Sequence, residues 1–322
     1  MIPAELVKEK MNKAGASQAP FLFGVDFELT EGFFYEQPLR QQEVLWNIRG
    51  TSNATVQATS KSFSFFRHPE SYSAYQQKFD IVRHGLLRGD SFLLNLTTAT
   101  AIDTDLSLYD IFCNSTAPYR LLVPGQFVCF SPETFVRING REIASFPMKG
   151  TIHTSVPLAE QVILNDYKEK AEHYTIVDLI RNDLNRIAGN VYVKRFRYID
   201  RLKTSNGDIL QVSSEIAGQL PEDYCSRIGD IIFDLLPAGS ISGAPKTSTI
   251  NIIRQAEQEP RGFYTGIFGY FDGQNLDSAV LIRFIEQQDN AFRFRSGGGI
   301  TINSRCEDEY REVLEKVYLP FR

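Results

Sequence analysis

Between residues 120 and 148 the chain reads as four short apolar runs, RLLVPG, QFVCFS, TFVRING and EIASFPM, parted by turn formers at Pro124-Gly125, Ser131-Pro132 and Asn139-Gly140. A parallel pair of strands needs a crossover of a dozen or more residues, so runs joined this tightly must be antiparallel. The Asn-Gly pair is a strong hairpin signal. Further runs rich in aromatic and branched residues, FLFGVDF (21–27), VLWNIRG (44–50) and SFLLNLTTATAI (91–102), also read as strands. Between the last two, Tyr72, Tyr75, Phe79, Val82 and Leu86 recur at steps of three and four, which predicts an amphipathic helix stopping at Gly89. A helical region is expected over about 157–188, then strands at 191–199 and 209–220 and helices near 223–236 and 245–258. Three strands follow, GFYTGIFGYF, SAVLIRFIE and AFRFRSGGGI, and a last helix starts near Glu307. Strands in antiparallel groups with helices between the groups specify an α+β fold of large, mostly antiparallel sheets with helices outside.

The 322 residues, 43% of them hydrophobic, are enough for a sizeable core, and no linker or repeat divides them, so one domain spanning 1–322 is expected. The net charge of −5 supplies no basic field for nucleic acid or an anionic membrane surface. No apolar window is long enough for a membrane span, and the N-terminus lacks the apolar core of a secretory signal. Cys113, Cys129, Cys225 and Cys306 lie far apart without zinc or disulfide spacing, which fits reduced thiols in a cytoplasmic protein.

Several segments can carry chemistry. Lys149, in EIASFPMKGT, follows a strand expected to end at Pro147; alone it is an ordinary exposed loop charge. Glu133 sits at the Ser-Pro turn 16 residues earlier. Glu172 leads an apolar helical run, and Glu309 and Glu312 share one face of the last helix; these are hard oxygen ligands of the kind magnesium takes one or two at a time. The segment LLPAGSISGAPKTS, with Ser240 and Lys246, reads as an anion-binding loop before a helix, but it is not a Walker A sequence. Gly297, Gly298 and Gly299 after a strand could form an anion nest, and Arg283 inside an apolar strand needs a partner if buried. Together these residues suit a small carboxylate-bearing substrate bound with a divalent metal, with a lysine as base or nucleophile.

The motifs SPE (131–133), PMKGT (147–151), AEH followed by IVDLIRNDLNRI (171–187), PAGSISGAPK (237–246), GFYTGIFGY (262–270), IRF (282–284), SGGGI (296–300) and EDEYREVLEKV (307–317) stand in an order that resembles the chorismate-utilising enzymes. These are the synthase components of anthranilate, aminodeoxychorismate, isochorismate and salicylate biosynthesis. The resemblance covers roughly residues 90–322 and implies an anthranilate synthase component I-like fold. At the position of Lys149, anthranilate synthases and the isochorismate and salicylate enzymes typically carry alanine, and aminodeoxychorismate synthase component I carries lysine. The resemblance therefore implies conversion of chorismate to 4-amino-4-deoxychorismate, on the way to 4-aminobenzoate and folate.

What it implies for single residues is as follows. Lys149 would attack ring C2 of chorismate as the 4-hydroxyl leaves with a proton from Glu133, and ammonia would then add at C4 and expel the lysine. Glu172 and Glu312, with Glu309 beside them, would hold Mg2+. Tyr270, Arg283, Gly298 and Gly299 would hold the other carboxylate, and Thr151, Ser240 and Lys316 would add polar contacts. Ammonia would come from a separate glutamine amidotransferase subunit, because no glutaminase nucleophile motif is visible, and an aminodeoxychorismate lyase would act downstream. The chain departs from the pattern at Leu210, where relatives often carry histidine, at IHTSV after the lysine motif, and in its short N-terminal part (about 1–89), which implies no tryptophan-binding region. The alternatives are anthranilate synthase component I and a non-catalytic chorismate- or glutaminase-binding subunit.

Overall fold

The computed structural model describes residues 1–55, 62–202, 208–289 and 291–321. Among these, two antiparallel sheets form the centre. The first runs Ile2–Pro3, Glu31–Glu36, Phe21–Val25, Ile267–Phe271, Leu276–Val280, Thr134–Asn139, Glu142–Ser145, Ile209–Gln219 and Met148–His153, with Gly189–Leu202 also paired to Ile209–Gln219. The second runs Gly243–Ala244, Leu93–Thr104, Ala291–Ile300, Phe284–Gln288, Phe127–Ser131, Tyr119–Val123, Leu45–Ile48 and Thr51–Ser52, with Phe65–His68 on Leu93–Thr104.

Period-two alternation decides what each face meets. Phe21, Phe23 and Val25 turn outward onto Val7 and Met11 of helix Ala4–Ala16 and Ile232 of helix Ile228–Asp234, in a cluster that also takes in Ile180 and Leu184 of helix Tyr167–Asn185. Leu22, Phe268 and Ala279 turn inward, where they share a core with Trp46, Tyr119, Phe127 and Phe284 of the second sheet. The outer face of that sheet is covered by helix Leu108–Asn114 and by a group of three, Tyr72–Leu87, Lys246–Glu257 and Cys306–Glu315. The order is helices, sheet, sheet, helices, as the α+β expectation requires. The first 89 residues are built into both sheets, since Phe21–Val25 pairs with Ile267–Phe271 and Leu45–Ile48 with Tyr119–Val123.

Four expectations need correction. The runs on either side of Ser131-Pro132 do not pair: Phe127–Ser131 belongs to the second sheet and Thr134–Asn139 to the first, so the chain passes between sheets at Pro132-Glu133. The run SAVLIRFIE is likewise two strands, Leu276–Val280 and Phe284–Gln288, and Arg283 sits at the break with φ +53°. A turn signal marks a change of direction but not the sheet the chain enters next. Lys149 is not in a loop after a strand end, because Pro147 only interrupts the chain between Glu142–Ser145 and Met148–His153. The three glycines lie inside strand Ala291–Ile300, paired with Thr97, Leu96 and Asn95, and so form no nest.

The expected helical region divides into Ala159–Asn165 and Tyr167–Asn185 at Asp166, whose extended backbone and side-chain bond from the Glu169 N–H cap the second helix. Helix Ala4–Ala16 and strand Glu31–Glu36 were not expected.

Candidate active site

A cavity of about 590 Å³ opens between the Met148–His153 end of the first sheet and strands Leu93–Thr104 and Ala291–Ile300 of the second. Two side-by-side crossings between the sheets form its base. At one, the Glu133 carbonyl accepts from the Val280 N–H (3.2 Å); at the other, the Arg283 carbonyl accepts from the Phe130 N–H (3.0 Å). Both side chains line the cavity. Ser240, in the short turn Gly239–Ser242, donates its hydroxyl to Glu133 Oε1 at 2.7 Å. Burial raises the Glu133 pKa above the ordinary carboxyl value, and the Ser240 bond and the charges of Arg283 and Lys316 only partly oppose it. Glu133 therefore keeps its proton further up the pH scale than a surface glutamate.

Lys149 reaches the cavity because its strand is irregular. Pairing with Ile209–Gln219 slips between Met148↔Ser213 and Thr151↔Gln211, and Gly150 takes φ +87°. A bulge of this kind re-aims a side chain, and glycine takes the positive φ at low cost. Lys149 Nζ lies 2.7 Å from Oε2 of Glu172, which is only 6% exposed. Burial pulls the lysine pKa down, but the charges of Glu172, Glu312 and Glu169 and the bond to Glu172 more than offset it, and Lys149 stands above the ordinary lysine value.

Glycines 298 and 299 make room for this group. A Cβ on Gly299 would stand 3.5 Å from Lys149 Nζ, and one on Gly298 3.4 Å from Glu309 Oε2 and 3.9 Å from Glu312 Oε1. Lys316 Nζ is held by the Gly297 carbonyl (2.8 Å) and Glu312 Oε1 (2.7 Å). Burial, together with Arg283 and Lys149, takes its pKa below the usual lysine value despite Glu312. The buried Nε of Arg283 has no hydrogen-bond partner, and its guanidinium lies 5.5 Å from the Tyr318 ring centre. Arg283 lines the cavity, and a guanidinium suits a carboxylate ligand.

The cavity thus gathers Glu133, Lys149, Thr151, Glu172, Ser240, Arg283, Gly298, Gly299, Glu309, Glu312 and Lys316. Tyr270 is the exception: it packs on Trp46 with ring centres 4.9 Å apart, away from the cavity, and the tyrosines that line the cavity are Tyr264, six residues earlier, and Tyr318. Leu210 also lies off the cavity, and its strand neighbours Ile209 and Gln211 line it. The polar group that this strand brings to the cavity there is the Gln211 amide. Lys246 contributes to no anion loop; it is bound by Asp183 Oδ2 (2.9 Å) and the Leu235 carbonyl (2.8 Å). Glu169, another cavity residue, could have been found from the sequence, since it stands one helical turn before Glu172 after the capping Asp166.

For magnesium, the donors present are of the right kind. Glu172, Glu309 and Glu312 offer hard oxygens to the same cavity, and Glu172 and Glu309 are buried. Among the described residues no three histidine, cysteine, aspartate or glutamate side chains converge as a ready-made cluster. Lys149 and Lys316 hold oxygens of Glu172 and Glu312 instead.

The sequence pattern of the chorismate binding enzymes matches residues 28–321. The chain belongs to the chorismate-binding enzyme family. That match begins well before residue 90, where the resemblance read from the sequence begins. An "uncharacterized PabA-like protein" of Haemophilus influenzae is 53% identical over 319 residues, covering 97% of this chain and 95% of that protein. An aminodeoxychorismate synthase component 1 of Bacillus subtilis is 29% identical, covering 87% of this chain and 62% of that one. An anthranilate synthase component 1 of Archaeoglobus fulgidus is 33% identical, covering 75% and 61%. Of solved structures, the menaquinone-specific isochorismate synthase of Escherichia coli superposes with a TM-score of 0.72 over 97% of this chain and 80% of its own, at 16% identity. The anthranilate synthase component I of Streptococcus pneumoniae gives 0.66 over 81% and 60%, at 24%. Such likenesses speak to the fold, which is that of the chorismate-utilising enzymes. No described helix is long and apolar enough to cross a membrane.

Proposed function

We propose that this chorismate-binding enzyme is an aminodeoxychorismate synthase component I, forming 4-amino-4-deoxychorismate from chorismate and ammonia. The observation that carries the reading is Lys149, aimed by a bulge into the same cavity that holds a proton-retaining Glu133. The ammonium of Lys149 must first lose a proton, and Glu172 Oε2 at 2.7 Å is in reach to take it. The Lys149 nitrogen then forms a bond to ring C2, both conjugated ring double bonds shift (C1=C2 to C1=C6 and C5=C6 to C4=C5), and the C4–O bond breaks with Glu133 giving its proton to the departing hydroxyl. Ammonia adds at C4, both double bonds shift back, and the C2–N bond to Lys149 breaks. Chorismate and ammonia thus give product and water, and one difficult displacement is divided into two. Arg283 would bind a substrate carboxylate, and Thr151, Ser240, Lys316 and the backbone at Gly298 and Gly299 would complete the polar contacts. Mg2+ held by Glu172, Glu309 and Glu312 would supply positive charge to the ring carboxylate.

Ammonia would come free or from a separate glutamine amidotransferase subunit, and an aminodeoxychorismate lyase would take the product on to 4-aminobenzoate. The test incubates the protein with chorismate, Mg2+ and ammonium and then adds such a lyase. The expected result is 4-aminobenzoate only after the lyase, lost on chelation with EDTA and regained with Mg2+. Anthranilate without lyase would overturn the reading in favour of an anthranilate synthase, the alternative to which the 33% identity with the Archaeoglobus enzyme gives weight. Intact chorismate would mean a non-catalytic subunit.

A further inference from the structure

Arg261 lies between helix Lys246–Glu257 and strand Ile267–Phe271, is 2% exposed, and has no part in the chemistry above. Its guanidinium sits 4.5 Å from the Phe27 ring centre. Nε donates to Glu257 Oε2 (2.9 Å) and Nη2 to Glu257 Oε1 (2.7 Å), and Glu257 Oε1 also accepts from the Thr97 N–H (2.8 Å). Two further donors go to backbone carbonyls, Nη1 to Ile241 at 2.9 Å and Nη2 to Asn95 at 2.6 Å, and Nη1 also donates to Thr265 Oγ1 at 3.4 Å. The backbone N–H groups of Arg261 and Gly262 are themselves held by Glu28, both at 3.0 Å.

Burying such a pair costs several kcal/mol of desolvation for each ion, and apolar residues of the same volume often serve stability as well or better. An apolar side chain cannot hold two carbonyls from separate segments in fixed positions, whereas the planar guanidinium fork does. The two residues that carry these carbonyls, Asn95 and Ile241, line the active-site cavity. Ile241 directly follows Ser240, whose hydroxyl holds Glu133.

We propose that Arg261 is a positioning residue: by pinning the carbonyls of Asn95 and Ile241 it fixes the turn that carries Ser240, and through Ser240 the orientation of the Glu133 carboxyl. The proposal rests on the reading of Glu133 as the acid, and its test separates the two. Arg261→Lys keeps the charge and loses the fork. In protein labelled with 13C at the glutamate carboxyls, with the Glu133 signal assigned by Glu133→Gln, the Glu133 titration is followed in wild type, Ser240→Ala, Arg261→Lys and the double variant. Arg283 and Lys316, the charges that face Glu133, are present in all four. Since the Ser240 bond lowers the Glu133 pKa, both single variants should move it upward and the double variant no further. Turnover of chorismate, whatever product forms, should fall roughly ten- to hundredfold in kcat with little change in KM. A lower melting temperature with an unmoved Glu133 titration, or shifts that add in the double variant, overturns the proposal. If Arg261→Lys does not fold, Glu257→Gln, which keeps the side chain's shape and weakens its hold on the guanidinium, carries the same comparison. Failure of the lyase-coupled product assay bears on the function and leaves the titration result standing.

Discussion

Lys149 Nζ lies 2.7 Å from Glu172 Oε2, joining a strand bulge of the first sheet to the first turns of helix Tyr167–Asn185. The contact brings a cation and a carboxylate that are 23 residues apart into one cavity, with Glu133 on its base.

Lys149→Ala should abolish the covalent route. The lyase-coupled 4-aminobenzoate assay is expected to show a loss on the order of a thousandfold in kcat. Mass spectrometry of wild-type protein quenched with chorismate present should find an adduct on the Lys149 peptide that the variant lacks. A variant with wild-type kcat would remove the nucleophile role.

Glu133→Gln removes the proposed acid and should cost about 10²–10⁴ in kcat. The sign of the pH dependence follows from burial, which raises the Glu133 pKa. The acid must carry its proton, so wild-type kcat should hold up through the range where a surface glutamate is already ionised and fall as pH rises through the Glu133 value. A pH–rate profile of both forms checks this, and a variant retaining the same alkaline fall would assign that fall to another group.

Gly150→Ala tests the bulge. At φ +87° a side chain is strained, and the added Cβ would stand 2.9 Å from Glu169 Oε2. Urea unfolding should show a loss of about 1–3 kcal/mol, with reduced kcat because Lys149 is displaced. Unchanged kcat in a destabilised variant would show that the bulge does not aim the lysine.

Lys246→Met tests the correction to the glycine-rich segment. The side chains of Lys246 and Asp183 are 17% and 13% exposed, and burial pushes the lysine pKa down and the aspartate pKa up. Removing one partner leaves a buried charge uncompensated, and denaturant unfolding should report a loss of about 3–5 kcal/mol. Chorismate KM should move little, whereas a large rise in KM with stability intact would return Lys246 to substrate binding.

Much of this protein is written in local sequence. Turn pairs and alternating apolar residues specify antiparallel strands, and the three- and four-residue spacing from Tyr72 to Leu86 specifies a helix that is found at Tyr72–Leu87. Ordered motifs bring the family and twelve candidate site residues into view, eleven of which line one cavity. Local sequence could not say which sheet a strand joins. Ser131-Pro132 has the look of a hairpin turn, yet the two strands part there because each finds a partner 138 or more residues away, in Phe284–Gln288 and Leu276–Val280. That distant pairing sets Glu133 beside Arg283, places Tyr264 rather than Tyr270 and Gln211 rather than Leu210 on the cavity, and turns Lys246 into a structural cation. Local spacing constrains φ, ψ and the face a side chain takes; which groups share a cavity depends on contacts between segments far apart in the chain, and these form only when the two sheets pack.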